Sequence, residues 1–194
     1  MTVLDRAPLP VQSPALGRRG LMGAGAAALG LSAASVGLAS PAAATVPSST
    51  ANPLPATDLA RLKRLARAAQ ARAYAPYSGY HVGGSLLTID GEFYRGTGNI
   101  ENSNYTLTIH GEQTAITEAV SQGSVQRVGA KFIKAIYLTT ALLEGQRYEC
   151  LPCGGCRQST AEMAATNGQW VIEQTDGSVK YYPFDVFLPF PYSE

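Results

Sequence analysis

Three side chains of this sequence are spaced as the ligands of a catalytic metal. His110 can donate one imidazole nitrogen, and Cys153 and Cys156 can donate two thiolates. Zn²⁺ is held by three protein ligands of these types where a fourth position must stay open for water. Glu112 is not needed as a fourth ligand, and its carboxylate is placed to take and return protons at that water. The sequence therefore predicts a catalytic zinc site rather than a structural one.

The three cysteines are clustered. They lie at positions 150, 153 and 156. A disulfide framework spreads its cysteines along the chain, so this clustering favours metal binding. We interpret the remaining one, Cys150, as a small buried strand residue just before the metal-binding turn, and its role stays open.

Periodicity and turn residues predict the elements that must position these side chains. A helix begins at Thr57, as N-cap, and is stopped by Pro76. Further along, the pattern predicts strands at 80–89 and 92–98 around the Asp90-Gly91 turn, a helix at 111–122 and a strand at 131–139. It then predicts a strand end, a turn and a helix over 153–165, and strands at 170–174 and 179–182. This order predicts an α/β sandwich with a mixed sheet. Both metal-binding motifs then lie where a helix begins, and a positive helix N-terminus favours thiolates.

We interpret residues 1–44 as an export signal rather than as part of the fold. Arg18 and Arg19 precede 25 residues without a charge, and the stretch ends in small residues. The paired arginines indicate the twin-arginine route to a periplasmic or extracellular location, with no stable membrane association after cleavage. A retained N-terminal anchor or a cytoplasmic protein is the alternative. Residues 45–56 are rich in Pro, Ser and Thr and predict a linker, which leaves 57–194 as the catalytic domain.

The charge of the chain disfavours a polyanionic partner. The formal net charge is +1, and residues 45–194 alone are near −1. No basic stripe with interleaved aromatic residues occurs. We therefore exclude nucleic acid as a partner and retain small neutral substrates.

Four short segments, in a fixed order, carry a family resemblance. They are APYSGYHVG at 75–83, NIEN at 99–102, PCGGCRQ at 152–158 and LPFPY at 188–192. The H-x-E and P-C-x-x-C motifs also match the signature of zinc nucleobase deaminases. From about residue 59 to residue 192, the chain resembles the cytidine deaminase family, specifically its short, usually homotetrameric branch.

The resemblance implies a fold, a reaction and an assembly. The fold would be a three-layer α/β/α sandwich with a mixed five-stranded sheet. The enzyme would use zinc to convert cytidine or deoxycytidine into uridine or deoxyuridine and ammonia, as in pyrimidine salvage. It would form a homo-oligomer, with a tetramer favoured over a dimer.

The resemblance also implies residue roles at the matching positions. The zinc ligands would be His110, Cys153 and Cys156, and Glu112 would carry protons from water to the ring and to the leaving amine. The substrate residues would be Asn99 and Glu101 at the sugar hydroxyl, Tyr80 beside the pyrimidine ring, and Ser103, Tyr105 and Tyr192 at a neighbouring subunit's site. Plain turn formation by Asn99, solvation of Glu101 and simple packing of Tyr192 remain alternatives.

Two departures from the short branch bear on function. His110-Gly111-Glu112-Gln113 stands where that branch has Cys-Ala-Glu-Arg. Three thiolates leave a zinc site at −1, which an arginine can offset, whereas one histidine and two thiolates leave it neutral, so Gln113 suits His110. Tyr80 replaces a phenylalanine, and its hydroxyl can alter substrate choice.

Two rival functions follow from these features. One is an exported deaminase of a cytosine-bearing antibiotic or modified nucleoside. The other is a non-catalytic, zinc-stabilised nucleoside-binding protein. Glu112 disfavours the second rival, because a structural zinc site needs no proton carrier.

Overall fold

The computed structural model describes residues 52–140 and 149–192. The predicted signal at 1–44 and residues 45–51 of the predicted linker lie outside the described residues. Within the described ranges, no helix is long and apolar enough to cross a membrane.

The longer helices and the strands follow the predicted order, and the structure adds one short helix, at Ser124–Val128, that the sequence did not indicate. The helices are α1 (Ala56–Gln70), α2 (Gly111–Ser121), α3 (Ser124–Val128) and α4 (Gly154–Met163). The strands are β1 (Val82–Thr88), β2 (Phe93–Arg95), β3 (Ile133–Thr140), β4 (Ala164–Glu173) and β5 (Val179–Pro183), and short 3₁₀ helices lie at Tyr105–Leu107 and Phe184–Val186. Strand β4 begins six residues before the predicted position. Its first four residues are partly or fully exposed, so no apolar alternation marks them in the sequence.

The strands form one mixed sheet in the order β2-β1-β3-β4-β5. Strand β1 pairs antiparallel with both β2 and β3, and β4 pairs antiparallel with β5. Strands β3 and β4 are parallel and are connected through α4. The predicted mixed five-stranded sheet is confirmed.

Helices cover both faces of this sheet. On one face, Leu62 and Ala66 of α1 pack in a buried cluster with Leu87 of β1. On the other, Ala115 of α2 packs in a second cluster with Leu86, the neighbouring residue of the same strand. Successive strand residues point to opposite faces, so β1 contributes to both cores. The result is the predicted three-layer α/β/α sandwich.

Two adjacent glycines let both helices approach β1 closely. A Cβ added at Gly83 would lie 2.0 Å from the Ala66 carbonyl oxygen of α1. A Cβ at Gly84 would lie 2.5 Å from the Gly111 carbonyl oxygen at the start of α2. The glycine pair therefore permits the N-terminus of α2 to lie directly against the sheet.

The N-terminal boundary differs from the prediction. Helix α1 begins at Ala56 after Pro55, with no side-chain cap, so Thr57 lies within the first turn. Leu54 is buried against α1 and the sheet, and the Gln169 side chain donates to the Asn52 carbonyl at 3.0 Å. Residues 52–55, near the end of the predicted linker at 45–56, are therefore held against the domain by the burial of Leu54.

Helix α1 also ends at Gln70, earlier than a stop at Pro76 predicts. The backbone beyond it turns so that the Tyr74 N–H donates to the Asn99 carbonyl at 2.9 Å. In return, the Glu101 N–H donates to the Tyr74 carbonyl at 2.7 Å. These pairings replace further helical bonds and align residues 99–101 with the loop that follows α1.

Candidate active site

The predicted metal ligands converge at the N-termini of two helices. His110 is the N-cap residue of α2, Cys153 is the N-cap residue of α4, and Cys156 lies in the first turn of α4. Their ligand atoms all lie within 4.8 Å of one another. One imidazole nitrogen and two sulfurs at this separation fit a zinc ion with a further position open.

The chemistry of the thiols supports a bound cation at this cluster. Burial, reinforced by the nearby Glu112 carboxylate, raises the pKa of the Cys156 thiol far above its ordinary range. The Cys156 backbone N–H donates to the Cys153 sulfur at 3.4 Å, and both helix N-termini add positive potential. These dipoles assist a thiolate, but a cation is needed to stabilise two of them beside a carboxylate.

Gln113 holds His110 in place. The backbone N–H of His110 donates to the Gln113 side-chain oxygen at 3.0 Å, which caps the first turn of α2. The sequence indicates only an electrostatic reason for a neutral residue at position 113. The structure adds a second reason for Gln113, because this hydrogen bond sets the direction in which the chain enters α2.

Glu112 is buried beside the metal cluster. Its exposed fraction is 4%, and it faces both His110 and Cys156. Burial raises the pKa of this carboxyl above its ordinary value. A carboxyl group with a raised pKa exchanges protons more readily near neutral pH, which is what a proton carrier requires.

A cavity of about 230 Å³ opens over this cluster. It contains the predicted catalytic and substrate residues together with several that the sequence did not indicate. Its lining consists of Ser78, Tyr80, Val82, Asn99, Glu101, Thr108, His110, Glu112, Glu149, Cys150, Leu151 and Cys153. Larger cavities lie elsewhere, but among the described residues only this one adjoins a group of metal-ligand side chains.

Asn99 and Glu101 fix the loop that forms one wall of the cavity. The Asn99 side chain accepts from the Val82 N–H at 2.7 Å and donates to the Tyr80 carbonyl at 2.9 Å. One carboxylate oxygen of Glu101 accepts from the N–H groups of Tyr77 and Ser78 at 2.9 and 3.1 Å. Both side chains are therefore buried and hydrogen-bonded. Asn99 does more than form a turn, and Glu101 is not a solvated surface acid.

These bonds also set the charge state of Glu101. The hydrogen bond from the Ser78 side chain, helped by the backbone N–H groups of Tyr77 and Ser78, lowers the pKa of this carboxyl below its ordinary value. Glu101 is thus ionised at neutral pH and presents an acceptor to the cavity.

The three residues predicted at a neighbouring subunit's site lie outside the cavity lining. Ser103 is exposed, Tyr105 is 62% exposed and Tyr192 is 75% exposed. The backbone of Tyr192 is bonded in both directions by the Gln158 side chain, at 2.9 and 3.0 Å. Their role at a neighbouring subunit's site stays a prediction.

Cys150 and its neighbours form another part of the cavity lining. Cys150 is buried as predicted, but it lies in an irregular stretch before α4 and not in a strand. Burial raises the pKa of its thiol to about 12, so it is a neutral group. Glu149 and Leu151 line the cavity beside it. The only sequence signal for these residues was their position just before the Pro152-Cys153 motif.

The family follows from a match that spans both halves of the site. The model of the cytidine and deoxycytidylate deaminase zinc-binding region matches residues 56–172, which is more than half of the chain. The chain belongs to the cytidine and deoxycytidylate deaminase family. It is a hydrolytic deaminase, and zinc is its metal cofactor. The predicted family resemblance is confirmed.

Curated members of the deaminase family align with most of the folded region. The cytidine deaminase of Sporosarcina psychrophila is 34% identical over 139 residues, covering 71% of this chain and 93% of the relative. The cytidine deaminase of Halalkalibacterium halodurans is 34% identical over 124 residues, covering 63% of this chain and 86% of the relative.

Solved structures of the deaminase family share the fold. The cytidine deaminase from Burkholderia pseudomallei superposes with a TM-score of 0.59 at 31% identity, over 69% of this chain and 98% of that one. The cytidine deaminase from Mycobacterium tuberculosis gives a TM-score of 0.54 at 27% identity, over 71% of this chain and 98% of that one.

Proposed function

We propose that this deaminase converts cytidine or deoxycytidine into the corresponding uridine nucleoside and ammonia. The observation that carries the proposal is the buried Glu112, which lines a small cavity beside the His110, Cys153 and Cys156 cluster. The two curated relatives described above are both cytidine deaminases.

The charges in the cavity favour a free nucleoside over a nucleotide such as deoxycytidylate. Its described lining contains three carboxyl groups, from Glu101, Glu112 and Glu149, and no lysine or arginine. A phosphate group placed there would lose its hydration beside like charges and gain no cationic partner. A neutral sugar meets no such penalty.

The reaction assigns a proton-carrying role to Glu112. Zinc held by His110, Cys153 and Cys156 would activate a water molecule for attack on C4 of the cytosine ring. As the oxygen–C4 bond forms, Glu112 takes a proton from the water and delivers it to ring N3. It then takes the remaining proton from the new C4 hydroxyl and passes it to the amino group, because amine is a poor leaving group until protonated. The C4–nitrogen bond breaks to leave a carbonyl at C4 and ammonia.

The sugar is held by the wall that Asn99 and Glu101 stabilise. The ionised Glu101 carboxylate can accept a hydrogen bond from a sugar hydroxyl, since the backbone N–H groups of Tyr77 and Ser78 both donate to the same one of its two oxygens. The Asn99 oxygen keeps a second lone pair after accepting from Val82. Tyr80 lines the same cavity, where its ring can lie beside the base.

We further propose a homo-oligomer, with a tetramer favoured, in which copies meet near the cavity mouth. Four apolar side chains that are 40–63% exposed lie close to Glu101 in the chain: Ile100, Tyr105, Leu107 and Ile109. Ile100 and Ile109 are paired through their backbones, so their side chains belong to one surface. Large contiguous apolar surfaces are typical of protein–protein contacts.

Export by the twin-arginine route completes the proposal. The support is the Arg18-Arg19 pair followed by the uncharged stretch to residue 44. Sequencing of the mature N-terminus from culture supernatant or periplasm should find it near Thr45. Full-length protein confined to the cytosol would contradict export.

The substrate is tested by a panel assay on the purified protein, with metal analysis of the same sample. Ultraviolet absorbance should report loss of cytidine and deoxycytidine, and deoxycytidylate should be turned over poorly or not at all. Preferred turnover of a modified cytosine nucleoside would favour the first rival function. Full zinc occupancy without turnover of any substrate would favour a nucleoside-binding protein.

A further inference from the structure

One wall of the cavity is an irregular segment, residues 149–153, which we call the zinc-turn segment. It contributes Glu149, Cys150 and Leu151 to the cavity lining and ends at the metal ligand Cys153. It belongs to no helix or strand, and within it the Leu151 N–H donates to the Glu149 carbonyl at 2.8 Å, which closes only a tight local turn. Its position must therefore be set by side chains from other parts of the fold.

Arg157 attaches the end of this segment to the C-terminal part of the chain. Its Nε donates to the Pro152 carbonyl at 2.8 Å, immediately before Cys153. Its Nη1 donates to the Phe187 carbonyl at 3.2 Å, and its guanidinium carbon lies 5.0 Å from the centre of the Phe187 ring. One planar cation thus joins two carbonyls and one aromatic face, which a lysine cannot reproduce.

The start of the segment is attached to the same region. The Glu149 carboxylate forms an ion pair with Lys180 and accepts from the Tyr182 hydroxyl at 3.2 Å. The Tyr182 ring in turn packs 4.9 Å from the Phe187 ring. Both ends of the zinc-turn segment are therefore held by the C-terminal part of the chain, one end through Phe187 and the other through Lys180 and Tyr182.

We propose that Arg157 is a positioning residue for the metal centre, acting through the Pro152 carbonyl on Cys153. Arg157 lines no part of the cavity, so it does not touch the substrate. Cys156 is fixed by its burial within α4, whereas Cys153 depends on the irregular chain before it. Arg157 spans both pieces, because it belongs to α4 and binds the segment that leads into that helix. This inference rests on the proposed zinc ligands but not on the identity of the substrate.

The test compares zinc retention in three full-length variants with that of the unaltered protein. Arg157→Ala removes the tether, and Arg157→Lys keeps the charge without the two-carbonyl geometry. Arg127→Ala is the matched control, because Arg127 also bonds a backbone carbonyl, that of Gln122 at 2.8 Å, among partners that do not line the cavity. Zinc release to a chromogenic chelator is measured well below the melting temperature, together with the absorption spectrum of the cobalt-substituted proteins.

Arg157→Ala should release zinc at least about tenfold faster, as expected on losing a group that orients a metal ligand, and its cobalt spectrum should change. Arg157→Lys should fall between that variant and the unaltered protein, and Arg127→Ala should match the unaltered protein. Unchanged release and spectrum in Arg157→Ala, or equal acceleration in Arg127→Ala, would overturn the proposal.

The zinc-release test gives a clear result even if one variant fails to fold or the protein does not act on cytidine. If Arg157→Ala does not fold, Arg157→Lys decides the matter, because an unaltered rate in that folded variant would overturn the proposal. Zinc release needs no substrate. A protein that leaves cytidine unchanged would therefore contradict the proposed function, but the release rates of the variants could still be compared.

Discussion

At the scale of single residues, the site depends on the Glu112 carboxyl group, whose environment differs from that of Glu101 in the same cavity. Glu112 is buried and its pKa is raised, whereas hydrogen bonds lower the pKa of Glu101. Two carboxyl groups of one cavity are thereby suited to different tasks. Glu112, whose pKa is raised, can carry a proton, and Glu101, whose pKa is lowered, can accept a hydrogen bond from a sugar hydroxyl.

Replacing Glu112 with glutamine should abolish proton transfer while leaving the metal ligands intact. We expect kcat for cytidine to fall by about 10² to 10⁴, the usual contribution of a general acid–base group. Absorbance assays and metal analysis on the same sample provide the measurement. Glu118→Gln, on the same helix but outside the cavity lining, should retain full activity. Turnover by Glu112→Gln at the unaltered rate would remove Glu112 from the mechanism.

At the scale of elements, two helix N-termini bring the metal ligands together. Helix α2 presents His110 and α4 presents both cysteines, and Gly84 allows α2 to lie close against β1. The helices belong to the fold's core through Ala115 and Thr160, so the ligands are attached to rigid parts of the molecule. The chain that leads into Cys153, residues 149–152, belongs to no helix or strand.

Removal of the cap at the start of α2 should weaken that element. Gln113→Ala loses the bond to the His110 N–H, and we expect unfolding free energy to drop by about 1 kcal/mol, the typical cost of a lost cap. Denaturant unfolding of the zinc-loaded protein measures the change. Gln126→Ala, at an exposed position of α3, should have a much smaller effect. Equal stabilities of the two variants would show that the cap contributes nothing.

At the scale of the whole molecule, an ion cluster joins the first helix to the fourth strand. Lys63 and Arg67 of α1 lie 2.9 and 2.6 Å from one oxygen of Glu173, which is 8% exposed. Burial by itself would raise the pKa of Glu173, but hydrogen bonds from Arg67, Thr139 and Lys63 outweigh it and the pKa is lowered. The ionised form is thus favoured in the folded protein.

This lowered pKa predicts a loss of stability in acid. Because the folded-state value lies below the ordinary 4.5, Glu173 stabilises the fold above pH 4.5 and the contribution disappears as the pH falls through the folded-state pKa. Glu173→Gln should therefore be less stable than the unaltered protein at pH 7, and the difference should shrink below pH 4.5. Urea unfolding at several pH values measures it. A difference independent of pH would contradict the assignment.

The exposed apolar surface near the cavity predicts association of copies. A charge at Leu107, which is 63% exposed, should weaken the assembly because an aspartate would have to be buried at the contact. Light scattering should give a lower molecular mass for Leu107→Asp than for the unaltered protein. Ile89→Asp is a suitable control, since Ile89 is 49% exposed but belongs to the β1–β2 turn region. A monomeric unaltered protein would contradict the proposed oligomer.

Much of the fold was predictable because its signals are local. Alternation and turn residues indicated the strand order β1 to β5 along the chain, and helix starts coincided with His110 and Cys153. The features that the sequence did not indicate, at residues 52–55 and at the start of β4, depend on contacts with distant residues. Leu54 is buried only because α1 and the sheet lie beside it, and the pairing of Ala164 with Ile133 extends β4 without an apolar pattern.

By itself the sequence determined the donor set of the metal site, the nearby carboxyl group and the family, because each depends on residue types a few positions apart. Only the tertiary structure decided which side chains surround the cavity and how they are held. Glu149 meets Lys180 and Tyr182, and Arg157 meets Phe187, across about thirty residues of intervening chain. Such contacts arise from the packing of α4 against the sheet and the C-terminal segment, so they cannot be predicted from the spacing of residues along the chain.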